Sequence, residues 1–145
     1  MKATITATAK YLPQKTLSNQ ELEKMVDTSN EWILSRTGIE NRHIVSDGEA
    51  TSDMCSQIAN QLLEKSGKSA EDIDLILVAT STPDFLVVST AALVQDKIGA
   101  KNAWGYDIVA ACTGFVYAME TGAKFIESGS YNNVMVIGAD TMSSI

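Results

Sequence analysis

One cysteine of the 145-residue chain stands where nucleophilic chemistry is feasible. Cys112 comes at the junction of a strand-like segment, residues 104–109, and a helix-like segment, residues 112–128. A thiol in the first turn of a helix faces unpaired backbone N–H groups and the positive end of the helix dipole, and both favour the thiolate. Thr113 and Gly114 follow and are small enough to let a substrate carbonyl reach the sulfur. The pattern predicts a nucleophile, and a small apolar residue buried at the junction is the competing interpretation.

The second cysteine gives no support to a metal site. Cys55 lies upstream of Cys112 in an amphipathic helical segment, and the sequence contains no CxxC motif or Cys/His cluster. The spacing needed for zinc or an iron–sulfur cluster is therefore missing, and we expect no metal and no bound cofactor. We interpret Cys55 as a packing residue. Two cysteines without a disulfide framework also agree with a reducing compartment, where a lone thiol stays reactive.

The composition limits the class of protein. Hydrophobic residues make up 45% of the chain, which is enough for a buried core, and the formal net charge of −7 argues against binding to nucleic acid or anionic membranes. No apolar run is long enough to span a bilayer, and the N-terminus lacks the apolar segment of a secretory signal. We therefore expect a cytoplasmic globular protein without nucleic acid or membrane as a partner.

Three side chains near the N-terminus form a candidate nucleotide-binding face. Thr28, Trp32 and Arg36 recur every four residues, so one side of a helix would present a hydroxyl, an indole and a guanidinium together. Indole stacks on a base, and Arg pairs with phosphate. A half-buried tryptophan with an incidental surface arginine is the alternative. Arg36 also belongs to a basic cluster with Arg42 and His43, which predicts either a site for an anionic ligand or a solvated loop face.

Hydrophobic periodicity and capping motifs predict alternating strands and helices. Capping boxes at Ser18–Glu21 and Thr28–Glu31 open two short helices, and the second ends at Gly38. The apolar patterns predict strands over residues 3–10, 74–80, 104–109 and 134–138, and helices over residues 52–65, 89–98 and 112–128. Strands separated by helices of about ten residues or more indicate an α/β fold with a mostly parallel sheet covered by helices.

The predicted helix after Cys112 carries a stripe of small residues. Gly114, Ala118 and Gly122 lie about one turn apart and let a neighbouring helix or sheet come close, so we expect this helix at the centre of the fold. The sequence contains no internal repeat, GxGxxG motif or P-loop, which argues against a dinucleotide or nucleoside triphosphate as ligand.

Several separated segments resemble the β-ketoacyl-acyl-carrier-protein synthase III enzymes of the thiolase-like superfamily. The similar segments follow one another in the order of the family and are spread over nearly the whole chain: Tyr11–Pro13, Met25–Ile39, Arg42–Ile44, Leu77–Thr80, Asp107–Phe115 and Val136–Asp140. The resemblance implies the thiolase-like α-β-α-β-α layered fold with a mostly parallel sheet. That fold is built from two similar halves, of which residues 1–145 would form the N-terminal one.

The resemblance also implies a reaction and its residues. Cys112 would accept the acyl group of an acyl-CoA primer, and a decarboxylative Claisen condensation with malonyl-acyl-carrier protein would then give a 3-oxoacyl carrier protein and CO₂. Thr28, Trp32 and Arg36 would bind coenzyme A, which is part of the substrate and not a resident cofactor. A His and an Asn from the second half stabilise the enolate in the family, and this chain ends before them. The enzyme would be a homodimer.

One segment departs from the family pattern. The family usually has an aromatic residue followed by Pro at the positions of Val87 and Val88, and this aromatic reaches across the dimer into the acyl pocket of the partner. Val87 would leave more room there, so we expect a primer that is longer or bulkier than acetyl. Phe85 could instead replace the aromatic through a shifted loop.

Two other functions remain open at this stage. A polyketide-type or quinolone-type synthase of the same superfamily would use the same Cys112. A non-catalytic, truncated half that serves as a structural or interaction subunit would not use it at all.

Overall fold

The computed structural model describes residues 2–145 in two compact units. Unit 1 contains the residues up to Tyr11 together with Ala50–Met142, and unit 2 contains Leu12–Glu49 together with Ser143–Ile145. In chain order the strands and helices are β1 (Lys15–Ser18), α1 (Asn19–Leu22), α2 (Asn30–Thr37), β2 (Asn41–Ile44), α3 (Thr51–Ser66), β3 (Leu75–Ala79), α4 (Thr90–Lys97), β4 (Trp104–Ile108), α5 (Gly114–Glu127) and β5 (Val134–Gly138).

A three-stranded parallel sheet forms the centre of unit 1. Its strands lie in the order β4–β3–β5, and Leu75 of β3 pairs with Trp104 on one side and with Val134 on the other. All residues of β3 are buried, which is typical of a strand with helices on both faces of its sheet. The predictions of a parallel sheet and of a buried central strand within residues 74–80 are confirmed.

Alternate residues of β3 point to opposite faces of this sheet. Ile76 and Val78 belong to an apolar cluster with residues of α3 and α4. Leu75 and Leu77 belong to a second cluster with residues of α5. Cys55 of α3 is fully buried in the first cluster, so the interpretation of Cys55 as a packing residue is confirmed.

Small residues allow α5 to lie close to the sheet. Gly114, Ala118 and Gly122 are all buried. A Cβ atom on Gly122 would lie 3.1 Å from Val134 Cγ1 and 3.2 Å from Val136 Cγ2, which is closer than most side-chain contacts. The expectation that the stripe lets a neighbouring sheet come close is therefore confirmed. The expected central position of the helix is not, because Val116 and Tyr117 on its other side are 64% and 54% exposed.

The N-terminal segment differs from its prediction. Residues 3–10 form no strand, and among the described residues no strand pairs with them. The backbone carbonyl of Thr8 accepts a hydrogen bond from Lys65 Nζ at 2.9 Å. The alternation of Thr with Ala and Ile suits a pleated surface, but a strand also needs a partner for its backbone N–H and C=O groups. The sequence pattern cannot supply that partner.

Unit 2 is a short antiparallel pair of strands with two helices between them. Lys15 of β1 pairs with Ile44 of β2, a pairing that the sequence did not predict. The predicted capping box at the start of α1 is confirmed, because Glu21 N donates to Ser18 Oγ at 3.2 Å and Ser18 N donates to Glu21 Oε2 at 2.8 Å. This reciprocal pair satisfies two backbone donors at the beginning of a helix of only four residues.

A buried asparagine connects the parts of unit 2. Asn19 is fully buried. Its amide donates to Ile39 O at 2.8 Å and to Asn30 Oδ1 at 2.9 Å, and its carbonyl accepts from Arg42 Nη2 at 2.5 Å. Arg42 Nη1 also donates to Leu17 O at 3.1 Å. We call these residues the Asn19 hub. The hub joins β1 and β2 to Asn30, at the start of α2, and to Ile39, which follows the residue that caps the end of α2.

No helix within residues 2–145 combines the length and the hydropathy needed to cross a bilayer. In the same residues, no group of three or more His, Cys, Asp or Glu side chains is arranged to hold a metal ion.

Candidate functional site

Cys112 lies in a 3-10 turn, Ala111–Thr113, between β4 and α5. The helix predicted over residues 112–128 therefore begins later than expected, at Gly114. The side chain of Cys112 is exposed, so the interpretation as a buried packing residue is wrong for this chain. An accessible thiol two residues before the first residue of a helix meets the steric requirement for a nucleophile.

Hydrogen bonds hold the turn that carries the thiol. Thr113 N and Thr113 Oγ1 both donate to Ala110 O, at 3.2 Å and 2.8 Å. A Cβ atom on Gly114 would lie 3.3 Å from Ala79 Cβ, so glycine allows the first residue of α5 to sit against β3. Cys112 thus lies between the hydrogen-bonded carbonyl of Ala110 and Gly114, where α5 begins close to β3.

An apolar cavity of about 850 Å³ borders the thiol in unit 1. Cys112, Phe115 and Met119 line it, together with parts of α3, β5 and the N-terminal segment. A Cβ atom on Gly138 would lie only 3.0 Å from Phe115 Cδ2. Glycine at this position therefore lets the ring of Phe115 pack against the end of β5, which fixes an aromatic side chain one turn after the cysteine.

The thiol of Cys55 is a poor candidate for a nucleophile. Burial, together with the negative charges of Asp107, Asp84 and Asp140, raises the pKa of Cys55 to about 12. A thiol that stays protonated at neutral pH and has no access to solvent is a poor nucleophile. The two cysteines of unit 1 therefore differ in access: Cys112 is open to a reagent and Cys55 is not.

The start of α2 differs from its prediction. The residue that caps the helix is Ser29, whose Oγ accepts from Trp32 N at 3.1 Å, and the helix runs over Asn30–Thr37. The predicted box at Thr28–Glu31 is wrong because the chain enters the helix one residue later. Thr28 is half-buried and lies outside α2, so it does not share a helix face with Trp32. The predicted end at Gly38 is confirmed, with a left-handed φ of 68°.

Trp32 and Arg36 come together on the surface of unit 2. The guanidinium carbon of Arg36 lies 4.8 Å from the centroid of the Trp32 ring, which is a cation–π contact. Trp32 remains 54% exposed, so its indole is open to further stacking. The predicted juxtaposition of a flat aromatic and a guanidinium is confirmed for these two residues.

The predicted basic cluster of Arg36, Arg42 and His43 does not form a single binding site. Arg42 is a member of the Asn19 hub, and His43 Nδ1 lies 2.5 Å from Pro13 O. Since a carbonyl oxygen only accepts, His43 carries its proton on Nδ1 in this contact. Both residues are engaged in the structure of unit 2, which leaves Arg36 as the cluster's candidate for an anionic ligand.

Phe85 and Val87 lie on an exposed apolar loop of unit 1. Phe85 is 60% exposed and Val87 is 96% exposed, and Leu86 between them is 99% exposed. Within residues 2–145, neither Phe85 nor Val87 lines the cavity beside Cys112. Four consecutive apolar side chains at the surface, Phe85 to Val88, form a patch that suits contact with another molecule.

Two carboxylates for which the sequence predicted no role, those of Asp84 and Asp107, hold the ends of this loop. Asp84 accepts from Ser52 N at 2.9 Å and from Ser52 Oγ at 2.5 Å. Asp107 accepts from Thr90 N at 2.6 Å and from Ala91 N at 2.8 Å, at the start of α4. A carboxylate is well suited to unpaired N–H groups at a helix start. A sequence signal exists for Asp107, because an acidic residue inside an apolar strand needs a partner.

Solved structures place this fold among the thiolase-like condensing enzymes. The crystal structure of 3-oxoacyl-[acyl-carrier-protein] synthase III from Aquifex aeolicus matches with a TM-score of 0.93 and 46% identity, over 96% of this chain and 45% of that chain. The priming β-ketosynthase of a polyketide biosynthetic pathway matches with a TM-score of 0.89 and 33% identity, over 93% of this chain and 40% of that chain.

Sequence comparison defines the family. The pattern of 3-oxoacyl-[acyl-carrier-protein (ACP)] synthase III matches residues 106–145. The β-ketoacyl-[acyl-carrier-protein] synthase III of Chlorobaculum tepidum is 63% identical over 100% of this chain and 44% of its own length. The chain belongs to the β-ketoacyl-acyl-carrier-protein synthase III family and corresponds to the N-terminal half of its members. It spans a little under half the length of the curated relatives that it matches.

Proposed function

We propose that this chain supplies the nucleophile of a β-ketoacyl-acyl-carrier-protein synthase III that starts fatty-acid chains. The observation that carries the proposal is the exposed Cys112 on a pinned strand-to-helix turn, in a chain 63% identical to a synthase of this name. A free, accessible sulfur at this place is what acyl transfer through a covalent intermediate needs.

The reaction has two stages. Cys112 Sγ attacks the thioester carbonyl of an acyl-CoA, the bond from that carbon to the sulfur of coenzyme A breaks, and the acyl group stays on Cys112. Malonyl-acyl-carrier protein then loses CO₂, and its α-carbon attacks the acyl-enzyme. The Cys112 sulfur leaves, which gives a 3-oxoacyl carrier protein. The carbonyl oxygen gains negative charge in both attacks, and the backbone N–H of Cys112 is a candidate donor for it.

Unit 2 would bind coenzyme A through Trp32 and Arg36. The contact between the two side chains leaves the indole 54% exposed, so an adenine ring can stack on it. The guanidinium carries a permanent positive charge that suits a phosphate. Thr28 belongs to this proposal by family resemblance, and it lies half-buried before the start of α2.

The loop that carries Phe85 and Val87 would set the length of the primer. Its exposed apolar side chains would enter the acyl pocket of the second subunit in a homodimer. Valine is smaller than an aromatic residue, so we expect the complete enzyme to use butyryl-CoA or hexanoyl-CoA at least as well as acetyl-CoA. Val87→Phe should shift the preference back to acetyl-CoA, and a preference for acetyl-CoA in the parent enzyme would contradict this part of the proposal.

The decisive experiment follows the acyl group to one sulfur. The native, full-length polypeptide is mixed with radiolabelled acetyl-CoA, and the label is located by peptide mapping. We expect label on the peptide that contains Cys112, none in Cys112→Ser and normal labelling in the matched variant Cys55→Ser. Labelling that persists in Cys112→Ser, or no labelling in the parent protein, would contradict the proposal.

A polyketide-priming function is the second candidate. The structural match to a priming β-ketosynthase of a polyketide pathway, at 33% identity, favours it. Both candidates use the same acyl transfer to Cys112, so the carrier protein separates them. Condensation with the malonyl carrier protein of fatty-acid synthesis supports the first function. Condensation with a polyketide carrier protein alone supports the second, and a stable protein that accepts neither would be a non-catalytic subunit.

A further inference from the structure

The residue before Cys112 has an unusual backbone conformation. Its φ is 45°, and Ala111 is the only non-glycine residue within residues 2–145 with a positive φ. The other positions with left-handed φ in this part of the chain are all glycines: Gly38, Gly48, Gly67, Gly99 and Gly129. A Cβ atom makes this conformation costly for an L-residue, which is why glycine is the usual choice.

Hydrogen bonds hold the chain on both sides of Ala111. On the strand side, Thr80 N donates to Ile108 O at 3.2 Å, so β4 stays paired with the end of β3. On the helix side, Thr113 Oγ1 holds Ala110 O at 2.8 Å. The positive φ of Ala111 therefore lies between two segments that hydrogen bonds hold in place.

Alanine and glycine differ in how tightly they define such a turn. The left-handed region open to an L-residue is small, whereas glycine moves freely through it and beyond it. A methyl group at position 111 therefore narrows the range of directions in which the next residue can point. Strained backbone conformations cluster at active sites, where the strain can be part of how a reactive side chain is held.

We propose that Ala111 is a positioning residue for Cys112. Its methyl group confines the turn to one narrow backbone conformation and so holds the thiol in the direction that acyl transfer needs. The proposal rests on the proposed function of Cys112 as the acyl acceptor. It predicts that stability and reactivity change in different directions, which a purely structural role would not produce. Glycine at position 111 relieves the backbone strain but leaves the direction of the Cys112 thiol less defined.

The experiment compares Ala111→Gly with the parent in the native, full-length polypeptide. We expect the thermal midpoint to stay equal or to rise, because glycine suits a positive φ. We expect acyl transfer from acetyl-CoA to Cys112, and alkylation of Cys112 by iodoacetamide, to slow by about threefold or more, because misdirection of a reacting group by a fraction of an ångström is costly. The KM for acetyl-CoA should stay unchanged, since Trp32 and Arg36 are untouched.

Gly129→Ala is the matched control. Gly129 has a φ of 78°, and a Cβ atom there would meet nothing within 4 Å, so this variant adds the same methyl group at a left-handed position away from the cysteine. We expect it to lower the thermal midpoint and to leave both rates of Cys112 unchanged.

Two outcomes would overturn the proposal. In the first, Ala111→Gly reacts at the parent rate in both assays, so the methyl group has no positioning role. In the second, stability and rates fall together, so Ala111 is simply structural. If the parent protein takes no acetyl group, the proposed function fails, and the alkylation rates still decide the role of Ala111.

Discussion

The two units hold their exposed functional side chains by different means. In unit 1, Cys112 stands on a turn between a strand and a helix that are both buried against an aliphatic core. In unit 2, Trp32 stands on a helix of eight residues whose start and end are tied to the Asn19 hub. One region depends on many apolar contacts, and the other depends on a few hydrogen bonds around one buried polar side chain.

The difference predicts unequal local stability. Apolar contacts are individually weak and collectively large, so the loss of one leaves most of the others in place. A buried polar hub is sensitive to single changes, because the removal of one partner leaves the others without hydrogen bonds. We therefore expect unit 2 to open more readily than unit 1, which suits a surface that must bind and release a large substrate.

The sequence offers a reporter for each unit. Trp104 is in unit 1, where it stacks on Tyr106 at 5.7 Å between ring centroids. Trp32 is in unit 2 beneath Arg36. A Trp32→Phe background therefore reports the unfolding of unit 1 by fluorescence, and a Trp104→Phe background reports that of unit 2.

The largest effect should come from the core of unit 1. Leu77 of β3 is fully buried in the cluster with α5, so Leu77→Ala leaves a cavity and should lower the free energy of unfolding by about 3 kcal/mol. Denaturant unfolding followed by Trp104 fluorescence measures the change. Leu86→Ala is the matched control: Leu86 is 99% exposed, and we expect a change below about 0.5 kcal/mol. Equal effects of the two variants would contradict the assignment of the core.

The next effect should be confined to unit 2. Asn19→Ala removes an acceptor from Arg42 and donors from Asn30 and Ile39, and we expect a loss of about 2 kcal/mol. The transition seen by Trp32 should move to lower denaturant while the transition seen by Trp104 stays close to its original position. Asn41→Ala, at an exposed position of β2, should change neither transition. A shift of both transitions by the same amount would show that the two units unfold as one.

Local sequence signals predicted the elements of unit 1 well. The strand over residues 134–138 was placed correctly, and the helix over residues 52–65 differs by one residue at each end. These elements combine strong apolar periodicity with glycine at the helix end, so pattern and packing agree. Cys112 was identified because its neighbours on both sides have clear and different patterns. Its left-handed predecessor was not identified, since alanine gives no hint of a positive φ.

Two of the failures share a physical cause, which is dependence on distant partners. Residues 3–10 have a suitable alternation, but no strand within residues 2–145 pairs with them. The Asn19 hub joins residues up to 25 positions apart, and no local pattern marks it. Thr28 and Ser29 are both good capping residues, and the choice between them depends on how the chain enters α2.

The buried thiol of Cys55 should make the stability of unit 1 depend on pH in the alkaline range. Since burial raises the pKa of Cys55 to about 12 from a reference value of 9.0, the unfolded chain loses this proton first as the pH rises. The contribution of Cys55 to stability is thus intact below pH 9.0 and declines above it, by about 1 kcal/mol at pH 10. Unfolding free energies measured between pH 8 and 10 by Trp104 fluorescence should fall less steeply in Cys55→Ala. An unchanged slope in Cys55→Ala would contradict the assigned burial.

The smallest expected effect on stability comes from Asp53 in unit 1 and appears at acidic pH. A hydrogen bond from Lys97 Nζ, at 2.5 Å, and one from Ala50 N hold the pKa of Asp53 below its usual range. The folded pKa is depressed, so the carboxylate stabilises the protein above the ordinary Asp range and this contribution is lost as the pH falls through the folded pKa. Both side chains are partly exposed, so the pair should contribute less than about 1 kcal/mol.

Asp53→Asn tests this expectation through the shape of an acid titration of stability. The variant should be slightly less stable than the parent at pH 7 and should approach it below pH 4, because the protonated parent has also lost its ion pair. Glu120→Gln is the control, since Glu120 pairs with Lys124 on an exposed face of α5 at 3.4 Å and should leave the curve unchanged. A difference between Asp53→Asn and the parent that persists undiminished at low pH would show that Asp53 acts through packing and not through its charge.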